Sequence, residues 1–327
     1  MNWQRAMAFV VVGGFISATL VAQSGDPAFA RMRAESDARS RAAADFEHLT
    51  IDIGPRLTAS PAHRQAANWV KGRLTEIGMS NPRLESWDFG RGWTLNHLVV
   101  EMVEPRYLPL IGYADGWSPS TNGEIVAAPV FIGGKTPEAV AAMTSTLKGA
   151  LVMTQPMMDT FVRKDRPQPS EESYVANSAA YATSVGRPAT PRPSGPSAAQ
   201  RIAATLHAAG VGAVIKPSIG EHGTVFVTGR DAGADGVPTV TLSGEHYNMI
   251  ARMLQRNIPV KLRVRVDATF DTSEAGRAYN VIAELPGSDP ALRDEVVMLG
   301  AHLDSWHTGV GATDNADGVA TMIGDAD

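Results

Sequence analysis

The sequence contains no cysteine among its 327 residues. This absence excludes disulfide bonds, cysteine ligands to a metal and lipid attachment through a thiol. The folded chain therefore has to be stabilised by core packing, by a metal or by a ligand. Any metal site must be built from histidine, aspartate and glutamate side chains.

The sequence also has no block of basic residues. Its 29 lysines and arginines are outnumbered by 34 aspartates and glutamates, which gives a formal net charge of -5. A nucleic-acid-binding surface needs clustered positive charge, so nucleic acid is excluded as a partner. Hydrophobic residues make up 44% of the chain, and this content predicts a globular protein with a substantial core and two domains. No feature of the sequence indicates an oligomeric state.

The N-terminus has the pattern of a secretory signal peptide. Arg5 is the only charge before an uncharged run over residues 6–22, and small residues follow it. This predicts a signal peptide over residues 1–30, with cleavage after Ala22 or Ala30. The alternative is a membrane anchor, but glycines and a serine dilute the apolar run. We therefore expect a secreted or periplasmic protein without stable membrane insertion.

The first part of the mature chain, residues 31–104, is predicted to begin an α/β domain. Ser60 is placed as a helix cap, Pro61 occupies the first helical turn, and Gly78 ends this helix. The other predicted elements here are a helix over 36–49 and strands over 83–89 and 93–103.

Composition changes at about Pro105, where glycine and proline begin to separate short apolar stretches. Residues 105–245 are therefore predicted to form a small separate β-rich domain, with a long proline-rich excursion over 155–196. Its predicted strands are 124–132, 150–153, 211–215 and 238–242, and its predicted helices are 137–147 and 196–209.

The last part, residues 246–327, is predicted to continue the first domain. Its predicted elements are a helix over 243–256 and strands over 260–267, 281–285 and 295–299. Apolar and charged residues alternate over 260–267, which predicts an exposed or edge strand with one buried face. Residues 296–299 form a continuous apolar run, which is typical of a strand covered on both faces in an α/β sheet. Ligands of such sheets bind beyond the carboxyl ends of the strands, so His302 and Asp304 lie where a site is expected.

His302 and Asp304 have the spacing of a metal-ligating imidazole and the carboxylate that orients it. Two residues apart on an extended segment, their side chains point to the same side, and ligating histidines usually donate their other N–H to a carboxylate. Asp314, ten residues further on, is a candidate second carboxylate ligand, since one carboxylate can bridge two metal ions. The alternatives are a hydrogen-bonded pair at a strand end and a helix cap at Asp314 or Asn315.

A calcium-binding loop is excluded for this segment. The EF-hand pattern needs an acidic residue where Thr313 stands and a glutamate where Gly324 stands. Trp306 and His307 lie close by in the sequence. For Trp306 the open roles are a wall of the substrate pocket and packing, and for His307 they are the lining of that pocket and a solvated position.

Two segments resemble the first metal-binding block of the di-zinc aminopeptidase family that includes carboxypeptidase Q and glutamate carboxypeptidase II. They are residues 300–305, with the sequence GAHLDS, and residues 311–318, with the sequence GATDNADG. Residues 54–61, GPRLTASP, are similar to the N-terminal block of the same family. Residues 105–245 occupy the place where many members carry an inserted protease-associated domain.

The resemblance implies a phosphorylase/hydrolase-like mixed sheet with helices on both faces, interrupted by the smaller β-rich insert. It also implies two zinc ions: His302 would bind one zinc, Asp304 would orient His302 as part of the catalytic machinery, and Asp314 would bridge both ions. The implied substrate is a peptide, cut at a terminal bond by an aminopeptidase or a carboxypeptidase Q-like dipeptidase.

The family further needs a Glu-Glu pair, another aspartate and a distal histidine, which do not follow the block before Asp327. The one Glu-Glu pair, Glu171 and Glu172, lies upstream in the proline-rich excursion and is interpreted as solvated surface. We therefore expect an N-terminal portion of an exopeptidase, truncated within the peptidase domain. The alternative is a catalytically silent peptide- or protein-binding fragment. A hydrolase of other esters or phosphates is a third hypothesis, disfavoured by the lack of a glycine-rich phosphate loop.

Overall fold

The computed structural model of the protein describes residues 27–161, 195–272 and 276–326. Most of the predicted signal peptide, most of the proline-rich excursion and the pair Glu171 and Glu172 lie outside these ranges. Within them, no helix combines the length and the apolar character needed to cross a bilayer.

Helices are spread along the whole described chain. The α-helices are α1 (Pro27–Arg39), α2 (Ala42–Glu47), α3 (Pro61–Glu76), α4 (Pro137–Ala141), α5 (Thr144–Leu147), α6 (Ala198–Ala209), α7 (Gly244–Gln255) and α8 (Asp317–Ala326). A short π-helical turn over His48–Ile53 precedes the loop to α3, and a kinked segment over Ala312–Ala316 precedes helix α8.

The strands of the described residues form three sheets. The strands are β1 (Ser80–Asp88), β2 (Gly92–Glu104), β3 (Leu108–Pro109), β4 (Gly112–Ala114), β5 (Ile125–Ala127), β6 (Pro129–Phe131), β7 (Leu151–Met153), β8 (Ala213–Pro217), β9 (Thr239–Leu242), β10 (Lys261–Asp271) and β11 (Arg277–Glu284). The sheet orders are β1-β11, β3-β2-β10-β5 and β4-β9-β8-β7-β6. The mixed α/β class predicted from the sequence is confirmed, whereas the inserted protease-associated domain and its boundaries stay a prediction.

The antiparallel pair of β2 and β10 is the longest pairing of the fold. Val264 faces Val100 and Leu262 faces Met102 across it, and all four side chains are buried. The strand pattern arises because apolar residues of β10 alternate with charged ones, which places one face on the core and the other toward solvent. The predicted single buried face is therefore confirmed. The predicted edge position is wrong, because β10 pairs with β2 on one side and with β5 on the other.

The five-stranded sheet combines parallel and antiparallel pairing. Strands β6 to β9 run parallel, and β4 pairs antiparallel with β9. Helix α6 covers this sheet; it begins with a capping box at Ser197 and ends at Gly210 in the left-handed conformation. Its Leu206 packs with Val140, Leu147 and other apolar residues in a core cluster, so the predicted helix over 196–209 is confirmed.

Helix α3 positions the N-terminal block against the end of the described chain. Ser60 accepts a hydrogen bond from the backbone N–H of His63, and a proline stands in the first turn, as predicted. Val70 of α3 belongs to the same buried cluster as Val319 and Ile323 of α8. This packing brings residues 54–61 close to the segment around residue 314.

The predicted strand over residues 295–299 is wrong. These residues have no regular structure, and Val296, Val297 and Met298 are each 89% exposed. A strand needs a neighbour that pairs with its backbone, and an apolar run by itself cannot supply one. Among the described residues, no strand pairs with this segment.

Two predicted helices are interrupted. The helix predicted over 36–49 breaks at Ser40, whose hydroxyl accepts a hydrogen bond from the N–H of Ala42 at 3.3 Å, and a side chain that binds nearby backbone competes with the helix. The helix predicted over 137–147 is divided into α4 and α5. Helix α8 begins at Asp317.

Candidate metal centre

The three side chains singled out by the sequence lie together. The imidazole of His302 has its Nδ1 atom 3.1 Å from Asp304 Oδ1 and its Nε2 atom 2.8 Å from Asp314 Oδ1. The two carboxylates therefore contact opposite nitrogens of the same ring. In metal centres, a carboxylate commonly orients a ligating histidine through the ring nitrogen that does not bind the metal. Asp304 lies in the position of that carboxylate, and Asp314 lies beside the nitrogen that would bind the metal.

The site is open to solvent. The side chains of His302, Asp304 and Asp314 are 54%, 42% and 73% exposed. Exposed ion pairs contribute little to stability, so these contacts alone cannot hold the three side chains in place. Their order has to come from the backbone segments that carry them.

Asp314 projects from a kink that precedes helix α8. Its φ and ψ angles are -129° and 81°, and those of Asn315 are -142° and 43°, both outside the helical region. With its amide oriented to suit both neighbours, Asn315 accepts a hydrogen bond from His302 N at 3.3 Å and donates to Asp317 Oδ1 at 3.2 Å. The kink thus links the backbone of His302 to the start of the helix.

Arg56 is a residue of this site that the sequence did not single out. Its side chain is fully buried, and all the hydrogen bonds of its guanidinium go to backbone carbonyls. The accepting oxygens are those of Leu49, Gly54, Leu303, Val310 and Gly311, at 2.7 to 3.0 Å. Resemblance to the N-terminal block pointed to the segment 54–61 but gave Arg56 no role.

Two hydroxyl groups connect the same segment to the residues around Asp304. Thr58 Oγ1 donates to Asp304 Oδ2 at 2.5 Å. Ser305 Oγ accepts from Arg56 N at 3.0 Å, and Ser305 N donates to Arg56 O at 3.1 Å. Asp304 is therefore held from two sides, by Thr58 and by His302.

Burial lowers the pKa of two basic side chains near Asp304, those of Arg56 and His63. Desolvation lowers the pKa of Arg56, and the negative charge of Asp304 acts in the opposite direction. The pKa of His63, in the first turn of α3, is also lowered, mainly by burial, although Asp304 again opposes the shift. His63 is consequently held as a neutral imidazole around neutral pH.

His307 and Trp306 connect the site to strand β4. His307 Nε2 lies 2.8 Å from the carbonyl oxygen of Ala114, and its ring meets the edge of the Trp93 ring at 4.8 Å between centroids. Burial lowers the pKa of His307. The packing against Trp93 and the contact with Ala114 contradict the solvated position predicted for His307, and its role in lining a substrate pocket stays a prediction. Trp306 lies against Gly116 and is 39% exposed.

The side chains of His302 and Asp314 could supply two of the ligands of a zinc ion. A neutral imidazole nitrogen and a carboxylate oxygen are zinc ligands, and Nε2 of His302 and Oδ1 of Asp314 are close enough to bind the same ion. The carboxylate on Nδ1 is the partner expected behind such a ligand. Over the described ranges, no cluster of three or more histidine, cysteine, aspartate or glutamate side chains is placed to hold a metal.

An imidazole flanked by two carboxylates, in a mixed α/β fold, belongs to the type of centre found in metal-dependent hydrolases. Comparison with known proteins agrees with this class. Residues 280–326 match the model of Peptidase family M28, and this range includes His302, Asp304 and Asp314. The resemblance to the di-zinc exopeptidases predicted from the sequence is thereby confirmed.

Individual relatives match over a greater length. Carboxypeptidase Q of Pongo abelii is 23% identical over 301 residues, which cover 91% of this chain and 57% of that protein. Carboxypeptidase Q of Homo sapiens matches with the same identity and coverage. The chain thus spans somewhat more than half the length of these relatives.

Solved structures share the fold. A peptidase M28 precursor from Shewanella amazonensis SB2B superimposes with a TM-score of 0.61 at 24% identity, covering 90% of this chain and 60% of that one. A zinc aminopeptidase from Bacillus subtilis gives a TM-score of 0.50 at 17% identity, covering 87% of this chain and 56% of that one. At these identities the likeness establishes the fold.

Proposed function

We propose that this chain carries the first part of the metal centre of an exported zinc exopeptidase. The observation that supports the proposal most directly is the position of the His302 ring between Asp304 and Asp314, with its Nε2 atom 2.8 Å from Asp314 Oδ1. The match of residues 280–326 to Peptidase family M28 supports the same reaction class. The signal-peptide pattern at the N-terminus supports export to the cell exterior or periplasm.

Each of the three residues has a separate role in this proposal. Asp304 accepts a hydrogen bond from Nδ1 of His302, which leaves the Nε2 lone pair directed at the metal position. Asp314 has two carboxylate oxygens and is the residue proposed to bridge two zinc ions. When bound, the zinc ions would lower the pKa of a water molecule and polarise the scissile carbonyl.

The proposed substrate is a peptide cut at one of its termini. Its two forms are an aminopeptidase, as the name of the Bacillus subtilis neighbour states for that protein, and a dipeptidase resembling carboxypeptidase Q. Residues 105–245 are proposed to be the protease-associated insert. The competing proposal, a silent peptide-binding fragment, differs in requiring neither zinc nor hydrolysis.

Zinc binding and hydrolysis by the expressed chain test the proposal together. The chain is stripped of metal, dialysed against zinc and analysed for bound metal and for hydrolysis of leucine amide and of dipeptides. The variants are His302→Gln and Asp314→Asn. The matched control is His222→Gln, because the His222 side chain is 92% exposed and lies outside the site.

The expected result is zinc bound to the native chain and to the control, with at least about a tenfold loss of affinity in both site variants. Zinc binding that is the same in all four proteins would place the metal elsewhere and refute the site. A native chain that neither binds zinc nor hydrolyses these substrates would favour the silent binding fragment.

A further inference from the structure

Arg56 is a buried charged residue whose guanidinium, among the described residues, donates its hydrogen bonds to backbone oxygens. It is fully buried, and burial of a charge is costly unless every donor is satisfied. Five carbonyl groups satisfy it, with distances of 2.7 to 3.0 Å. Backbone carbonyls cannot easily follow a side chain that moves. The five carbonyls therefore hold the guanidinium in one position, and the guanidinium in turn holds the five carbonyls in theirs.

The acceptors of Arg56 come from both arms of the metal-binding block. We define the first arm as residues 302–305, which carry His302 and Asp304, and the second arm as residues 310–314, which end at Asp314. Nε of Arg56 donates to the carbonyl of Leu303 in the first arm. Nη1 and Nη2 donate to the carbonyls of Val310 and Gly311 in the second arm.

A guanidinium is a planar group whose N–H donors have fixed mutual directions. Because Nε binds one arm and the terminal nitrogens bind the other, Arg56 sets the distance between the arms. A lysine has a single nitrogen and cannot reproduce this fork. The exposed contacts of His302 with Asp304 and Asp314 are too weak to set that distance by themselves.

The close packing around Gly311 also indicates that Arg56 sets the distance between the two arms. A side-chain Cβ atom at Gly311 would lie 2.3 Å from Ser305 Cβ and 2.9 Å from Arg56 Nη2. Ser305 also exchanges two hydrogen bonds with the backbone of Arg56. The two arms and Arg56 are therefore in direct contact, with no room for a larger residue between them.

We propose that Arg56 is a positioning residue of the metal-binding block, which joins the two arms so that His302 and Asp314 reach one metal ion. Its effect on metal affinity rests on the proposed function, whereas its effect on the order of the two arms does not. The other possibility is a general structural role, such as that of Arg73. Arg73 is also buried, but it pairs with the carboxylates of Asp45 and Glu76.

Hydrogen exchange of the metal-free chain provides the first test. Arg56→Lys is compared with Arg73→Lys, the matched control, in which a buried arginine outside the block is changed in the same way. We expect Arg56→Lys to lower the protection of the described residues over 303–316 by at least about tenfold, while α6 and β8 keep theirs. Arg73→Lys should lower protection around α2 and α3 instead.

Unchanged protection over 303–316 in Arg56→Lys overturns the proposal, and so does an equal loss of protection across the whole molecule. If Arg56→Lys does not fold, Ser305→Ala replaces it, because it removes the hydroxyl of the first arm that accepts from Arg56 N and so loosens the contact between Arg56 and that arm. The same local loss of protection is then expected, and its absence again overturns the proposal.

Zinc affinity, measured by competition with a chelator, provides the second test. We expect about a 10- to 100-fold weaker affinity in Arg56→Lys and the native affinity in Arg73→Lys, although both lose stability. Equal losses of zinc affinity in the two variants would indicate that Arg56 has only a general structural role and would overturn the proposal. A native chain that binds no zinc would contradict the proposed function, whereas the hydrogen-exchange result would still decide the role of Arg56.

Discussion

Gly311 offers a test of how tightly the metal-binding block is packed. It adopts the left-handed conformation, with φ of 61° and ψ of 43°. Gly210, at the end of α6, has nearly the same conformation, with φ of 65° and ψ of 49°. An added Cβ atom at Gly210 would meet no heavy atom within 4 Å, so the two positions differ in their surroundings and not in their backbone.

The expected losses of stability follow from this difference. Replacing either glycine with alanine costs about 1–2 kcal/mol, because a Cβ atom is strained in the left-handed region. At Gly311 the new atom would also lie 2.3 Å from Ser305 Cβ and 2.7 Å from Ser305 Oγ, and the hydroxyl would have to leave Arg56 N. An unpaired buried donor costs a further 1–3 kcal/mol or so. The total at Gly311 is therefore about 2–5 kcal/mol.

Urea denaturation of the native chain, Gly311→Ala and Gly210→Ala, followed by circular dichroism, measures these losses. We expect the unfolding free energy to fall clearly further in Gly311→Ala than in Gly210→Ala. Equal losses in the two variants would show that Ser305 moves aside at no cost, and the argument from close packing would then fail.

Three further changes test other parts of the structure. Thr58→Val removes the hydroxyl that donates to Asp304, so zinc affinity should fall about tenfold, equivalent to about 1.4 kcal/mol. Thr75→Val changes an exposed threonine outside the site and should leave the zinc affinity unchanged. Burial lowers the pKa of His307 from 6.5, so on acidification the unfolded chain takes up a proton before the folded chain does. The free energy of unfolding should therefore fall as pH drops below about 6.5. His307→Gln should flatten this dependence in thermal melts between pH 7.5 and 5.5, and an unchanged slope would exclude His307 as its source. Val297→Asp places a charge on a side chain that is 89% exposed, so light scattering should show less aggregation at an unchanged melting temperature, and unchanged aggregation would contradict this interpretation.

Local sequence patterns predicted the elements whose stabilising contacts are close in sequence or obey a simple period. The cap at Ser60 and the alternation along β10 are of this kind, because a hydrogen bond three residues away and a two-residue repeat are visible in the sequence. Residues 295–299 satisfied the apolar pattern of a buried strand but remained exposed. A pattern shows which residues favour a strand, whereas the presence of a pairing partner depends on distant parts of the chain.

The same distinction applies to the candidate site. His302, Asp304 and Asp314 were found because their residue types and spacing are those of metal ligands. Arg56 could not be found in this way, because its acceptors are backbone carbonyls, which every residue possesses. Its partners became visible only when the fold brought residues 303 and 311 next to it.

The hydrogen bond between Arg56 and Leu303 joins residues 247 positions apart, which has a consequence for the synthesis of the protein. At roughly 5–20 residues per second, about 12 to 50 s pass between the synthesis of these two residues. During that time the guanidinium lacks three of its five carbonyl acceptors and must remain hydrated. The ligand arrangement can therefore form only after nearly the whole described chain has been made, and metal uptake should report on chains that have completed this late step.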